Sequence, residues 1–475
     1  NVSYTFLIEC NNCNTHMYQK LLSTLICHSN FAARIITTMK RYIYLTTIMV
    51  ILTSASLKAQ EIISISKKEV QSKVLEENTS IKISEQEFLK ARADYRQTNS
   101  VFLPNINASH SGIATTNPLM AFGTKLNQGI LTPEDFNPEL LNNPDEVTGF
   151  ATKFEIQQPL INLDGFYQRK AAKNKMDAVQ LQSLRNKDYL FFEVEKAYMN
   201  LQLSYKAVEV LEKTLEATLE NKKVADNSFK QGYLQRSDVL SVEVRVHEVQ
   251  NQLQTAKSSI ANASDYLSFL MNEKGDALFM PSDSLTVSNL SPTADLILSE
   301  ERTDIKAMQL TTEAYESLQK ANKMTFLPRL NAFGSYELYD EKAFQGGASG
   351  YLVGAQLNWN LFDGYKNVGK AQKSKAQYDQ SILAYEEYIS QSNLDLNKAK
   401  RMVSDAENKL KLTSLAMEQS KESLRIRTNR FKEGLEKTSD LLLSESQYAQ
   451  KQLQYYQTIF EYNYAFHYLD FLTKE

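Results

Sequence analysis

The side chains that could carry acid–base, metal or phosphate chemistry do not converge in this chain. His110, His247 and His467 lie far apart without the spacing of a zinc site, so each reads as a surface or packed residue. Gly369-Lys370 is followed by Ala371, where a phosphate-binding loop needs the Ser or Thr that holds its magnesium ion. The glycine cluster near Gly346 fails the pattern of a serine nucleophile elbow at Tyr351. Cys10, Cys13 and Cys27 are the only cysteines and all precede Met39, so the rest of the chain offers no thiolate ligand, cysteine nucleophile or disulfide. No catalytic residue, metal site or cofactor is expected. A formal net charge of -3 argues against a nucleic-acid surface.

Two carboxylates stand out by position. Asp238 closes the phrase "FKQGYLQRSD" from Phe229, and Asp440 closes its near-twin "FKEGLEKTSD" from Phe431. Each falls where a helix begins, so N-capping is the first role expected, with Ser237 and Ser439 as competitors. Gly232 and Gly434, in the same phrases, are the only glycines for dozens of residues on either side. They are expected to turn the chain in a left-handed or tight conformation, which costs glycine little.

The elements that must carry these phrases follow from the punctuation. The stretch "MKRYIYLTTIMVILTSASLKAQ" has a charged start at Lys40 and Arg41, an apolar middle from Tyr42 to Ala55, and a cleavage-like Leu57-Lys58-Ala59. The apolar run is shorter than the roughly 20 residues of a spanning helix. Residues 39–59 are therefore expected to be a signal peptide, with 1–38 as upstream sequence and an exported chain from Gln60. Beyond it, prolines fall in two zones, Pro104 to Pro159 and Pro281 to Pro328. Proline inside a helix costs about 3 kcal/mol, so long helices belong between and after these zones. Phe166 to Lys230, if continuous, would span about 98 Å and need neighbours along its whole side.

The chain is one unit used twice. Residues 229–270 align without a gap on 431–472, with about a third of positions identical, several times the chance level. Phe102-Leu103-Pro104 matches Phe326-Leu327-Pro328, and Asp164-Gly165 matches Asp363-Gly364. Each unit reads helix, strand, loop, strand, long helix, turn, long helix. The first is expected over 60–272, the second over 301–475, with a linker at 273–300. Val239, Val242, Val246, Val249, Leu253, Ala256, Ile260, Ala263, Leu267 and Leu270 form a coiled-coil seam at alternating steps of three and four. The second copy places Ser444 and Lys451 in that seam, which points to a wetter contact.

Strands of period two are expected at about 104–115, 148–161, 329–340 and 350–362, and hairpin turns at about 231–238 and 433–440. "YLVGAQLNWNLF" alternates Tyr351, Val353, Ala355, Leu357, Trp359 and Leu361 against polar or small partners. Each run approaches the 9–11 residues with which a tilted strand crosses a bilayer. A sheet in lipid cannot leave its edges unpaired, and four strands are too few to close a barrel, so several chains must pool their strands.

The duplicated "FLP", the exits "QQPLINLDG" and "LNWNLFDG", and the paired F-K-x-G-x-x-x-x-S-D turns together resemble the TolC-like outer-membrane efflux proteins across nearly all of 60–475. The resemblance implies a mainly α fold with a membrane β-barrel: a duplicated protomer of very long helices plus four strands. Three such protomers form a 12-stranded β-barrel continued by a periplasmic α-helical barrel. It implies a passive exit duct of a tripartite efflux or type I secretion system, located in the outer membrane and embedded in its lipid. Its partners would be a periplasmic adaptor and an inner-membrane pump of RND or ABC type. The alternative is an exported periplasmic coiled-coil adaptor or structural protein without a pore.

Carried over residue by residue, the resemblance assigns adaptor docking to Gly232, Tyr233, Leu234, Gln235 and Arg236, and to Gly434, Leu435, Glu436, Lys437 and Thr438. It places Asp238 and Asp440 at the periplasmic gate, where three copies of Asp440 would form an anionic constriction that attracts cations. A second Asp found three positions on in relatives is Leu443 here, and a latching tyrosine is Phe431. Tyr351 and Trp359 are candidate aromatic anchors at the membrane surfaces. The stretch Thr116 to Val147 is long for a loop and is expected outside the cell or folded over the mouth. The transported substrate is not legible.

Overall fold

Each proline-free stretch holds two long helices separated by a turn at its glycine phrase. The computed structural model describes residues 62–275, 277–288 and 297–475, so the expected signal segment and the cysteines lie outside the described residues. In chain order the elements are β1 (Ile62–Ile65), α1 (Lys67–Glu77), α2 (Thr79–Gln97), β2 (Asn105–Thr115), α3 (Pro118–Gln128), α4 (Pro138–Asn142) and β3 (Val147–Ile161). Then follow α5 (Leu163–Lys230), α6 (Arg236–Met271), β4 (Leu278–Pro281), α7 (Thr303–Met324), β5 (Arg329–Asp340), β6 (Ala348–Asn358), α8 (Lys366–Lys432) and α9 (Thr438–Thr473). Among the described residues no helix is long and apolar enough to cross a membrane.

α5 runs for 68 residues and α8 for 67, each about 100 Å long. Helices of that length are stabilised by lateral packing. α5 lies against α2, α6, α7 and α9, while α8 lies against α7 and α9. Every residue of the α6 seam is buried except Leu253, which packs partly buried beside it. In α9 the expected wetter contact fails at Ser444, which is 4% exposed. Its neighbour Glu445 accounts for the polarity there, as described below.

β1 and β4 form a small two-stranded sheet, so the 273–300 linker contains a strand that the apolar patterning did not mark. Near the start of α7, Arg302 is 2% exposed and donates to the Leu472 carbonyl at 2.9 Å and to Ser392 Oγ at 2.9 Å. Its Nε donates to Asp304 Oδ1 at 2.6 Å, while Arg185 lies 3.2 Å from Oδ2. Burial acts to raise the Asp304 pKa, but hydrogen bonds from Arg302 and Tyr388 and the arginine charges hold it below the ordinary carboxylate value. This cluster satisfies carbonyls at the C-terminus of α9, where cations are favoured.

The four-stranded sheet is antiparallel throughout, in the order β2-β3-β5-β6. Its register sorts the side chains by face. Ile106 pairs with Ile156, Phe154 with Tyr336, and Tyr336 with Tyr351, all on one side and largely exposed. The other side carries Lys153, which lies 3.5 Å from both Glu155 and Glu337. Phe333, which breaks the polar alternation of β5, lies over Gly354 on the adjacent strand; a Cβ there would come within 2.7 Å of its ring. An aromatic covering a strand glycine compensates for the missing side chain.

Two sequence expectations need correction here. β6 closes at Asn358 instead of near 362, and Trp359 stands just past it with Nε1 donating to the Phe326 carbonyl at 3.0 Å. Past that bond the backbone takes positive φ at Gly364 and Tyr365, which ends the extended run. The 116–147 connection is not an irregular loop but contains α3, started by Asn117, whose side chain accepts from the Met120 N–H at 3.2 Å, and by Pro118 in the first turn.

Candidate functional site at the hairpin turns

Both turns end their first helix in the same way. Gly232 has φ +82 and Gly434 φ +72. At the first, the Gly232 N–H donates to the Phe229 carbonyl at 3.0 Å and the Tyr233 N–H to Ser228 at 2.9 Å. At the second, Gly434 donates to Phe431 at 3.0 Å and Leu435 to Arg430 at 2.9 Å. These paired bonds make a Schellman cap, which satisfies the last carbonyls and needs a left-handed residue. A Cβ at either glycine would meet nothing within 4 Å, so the requirement is one of backbone conformation alone.

The aspartates take a different place from the one expected. α6 starts at Arg236 with Gln235 at its N-cap, and Asp238 sits at the third helical position. There its Oδ2 accepts the Gln235 backbone N–H at 3.1 Å, reaching back across the first turn. Asp440 holds the matching position in α9, behind Lys437 at the N-cap, with Ser439 Oγ 3.5 Å from Oδ1. Neither aspartate is the N-cap, and neither serine replaces it. Both carboxylates still favour the positive end of a helix dipole.

The remaining turn residues divide by exposure. Tyr233 is 80% and Leu435 67% exposed, and Gln235, Arg236 and Lys437 are also exposed, while Leu234 is half-buried. Glu436 is held by Arg427 Nη1 at 2.8 Å and Arg430 Nε at 2.8 Å, which stiffens the second turn. The first turn has Leu234 at that place and no such clamp. Thr438 is buried, as is Phe431, whereas Phe229 is exposed. Tyr351 and Trp359 belong to another part of the chain, near opposite ends of β6. Eight residues separate them, about 26 Å along an extended strand.

Sequence reasoning missed a polar group beside the second turn. Glu445 on α9 is 2% exposed and faces the first hairpin. Asn221 Nδ2 on α5 donates to its Oε2 at 2.9 Å, and the Thr218 hydroxyl bonds its Oε1. Arg245 Nε on α6, also buried, lies 4.0 Å away. The hairpins of one protomer are thus joined by a buried carboxylate and its donors. A signal was available: a glutamate beside a serine, where the seam calls for apolar residues. Among the described residues no group of His, Cys, Asp and Glu is placed to hold a metal.

Residues 70–273 and 297–465 match a family model described as outer membrane efflux protein. No curated protein matches the sequence. Among solved structures, the fold is similar to the outer membrane protein VceC of Vibrio cholerae, with TM-score 0.75 and 16% identity over 86% of this chain and 95% of that one. The Campylobacter jejuni CmeC outer membrane channel gives TM-score 0.74 and 15% identity over 86% and 85%. The open-state MtrE outer membrane channel of Neisseria gonorrhoeae gives 0.69 and 18% over 86% and 88%. At these identities the likeness is one of fold.

Proposed function

The chain belongs to the outer membrane efflux protein family, and we propose that three copies form one passive exit duct. The three four-stranded sheets pool into a twelve-stranded barrel in the outer membrane, and the long hairpins continue it through the periplasm. One observation carries this reading: a sheet with an exposed apolar face, a charged opposite face and two edges, β2 and β6, each bonded to a single neighbour. In lipid those edges must be paired, and like copies are the economical partners. The duct receives substrates from an inner-membrane pump of RND or ABC type through a periplasmic adaptor, and no catalytic step is assigned to it. An adaptor or pore-less coiled coil would not need the two-faced sheet, and the family match does not support that alternative.

The hairpin turns are the adaptor-facing end. Exposed Tyr233 and Leu435 supply apolar anchors, and Gln235, Arg236 and Lys437 supply a polar rim around them. Crosslinking in cells should capture an adaptor through the wild-type turns, and Tyr233→Asp with Leu435→Asp should lower that capture at least tenfold with assembly intact. Capture unchanged by both substitutions would remove docking from these turns.

Asp440 is proposed to form the anionic ring of the gate. In planar bilayers Asp440→Asn should reduce cation preference and relieve block by divalent ions. If selectivity and block match wild type, the acidic ring is wrong.

A further inference from the structure

The connection between β2 and β3 carries a helix whose position has a consequence for the outer end of the duct. α3 lies across the charged face of the sheet, not its apolar face. The contact is close at Gly149, where an added Cβ would collide with Thr124 Cγ2. Gly149 shares its face with Lys153 and Glu155, since alternate residues of a strand point the same way. Ala121 is 1% exposed, and Gln128 is buried at the end of the helix. Its Nε2 donates to the Thr148 carbonyl at 3.1 Å and the Asp340 carbonyl at 2.8 Å, fastening α3 to the ends of β3 and β5. Lys125 holds the returning chain through Asp135 at 2.7 Å, and Phe122 meets Phe136 edge-on at 5.6 Å.

With Ala121, Thr124 and Gln128 turned to the sheet, the opposite side of α3 presents Leu119 and Leu126, one stripe at a spacing of seven. They are 81% and 57% exposed. In a closed barrel the charged face looks inward, so these leucines look toward the axis. Twelve strands about 4.8 Å apart, tilted about 40°, give a backbone radius of roughly 12 Å. A helix is about 10 Å across, so one resting on the inner wall reaches the axis.

We propose that α3 is an outward lid: three copies meet at the axis through Leu119 and Leu126 and close the outer mouth with an apolar constriction. The inference rests on the three-copy duct and adds a second barrier, at the far end from the hairpin turns. An apolar constriction of this kind excludes water and ions until its members separate.

The chain has no cysteine after Met39, so single thiols report cleanly. With Leu126→Cys in the assembled outer-membrane protein, mild oxidation should give disulfide-linked protomer pairs. With Glu155→Cys, a bulky impermeant maleimide added outside intact cells should react at least tenfold faster once residues 117–145 are replaced by a short glycine-serine turn. Equal rates in assembled protein with and without the segment, or an absence of linked pairs, overturn the lid and leave the duct standing. The disulfide arm needs no deletion and decides the question even if the shortened chain fails to assemble. A parent chain that purifies as a monomer overturns the duct and the lid together.

Discussion

Val353→Arg is expected to prevent membrane assembly, whereas Leu352→Arg is expected to be tolerated. The two residues are neighbours in the middle of β6 and similarly accessible in one protomer, at 71% and 60%. An isolated sheet would give no reason to distinguish them. Register does: Val353 pairs with Gly334 on the apolar side, and Leu352 with Ser335 on the side of Lys153 and Glu155. Arginine on the lipid face near the bilayer midplane costs about 2–4 kcal/mol, so three copies lose roughly 6–12 kcal/mol. On the lumenal side the guanidinium stays in water. Heat-resistant oligomer in outer-membrane fractions measures the difference. Equal assembly of both variants would reverse the assignment of the faces.

Glu445→Ala is expected to loosen the hairpin turns. Its removal leaves Arg245, 8% exposed, with only Glu248 at 3.3 Å, and takes the carboxylate acceptor from Asn221 and Thr218. Breaking a buried pair by deleting one partner costs about 3–5 kcal/mol. That cost falls on the contact between α9 and the first hairpin, because the donors lie on α5 and α6. The expected result is faster backbone hydrogen exchange in the first turns of α9 and a larger leak conductance in planar bilayers. Glu445→Gln, which keeps an acceptor but no charge, should fall between the two. Exchange and conductance that match wild type would mean the carboxylate does not hold the hairpins together.

The legible part of this fold was written in punctuation. Proline spacing located α5 and α8, a glycine in each phrase located the turns, and step-three-and-four valines located the α6 seam. Those signals are local: each depends on a residue's own backbone or on neighbours one turn away. What escaped depends on partners distant in sequence. β1 and β4 are four residues each, too short for a periodic signal, and exist by pairing with one another. α3 has caps at both ends, Asn117 and Gly129, but its prolines and neighbouring loop residues mask it. Asp238 was correctly placed at a helix start, yet which residue caps depends on dihedrals a sequence does not print. Glu445 was hidden because its donors lie more than two hundred positions upstream on α5.

The apolar side of the sheet and its two unsatisfied edges make a direct demand that can be weighed. The purified protein in mild detergent should have the mass of three chains, and the same preparation should open discrete conductance steps when added to a lipid bilayer. A single-chain mass with an electrically silent bilayer would contradict the duct at its foundation.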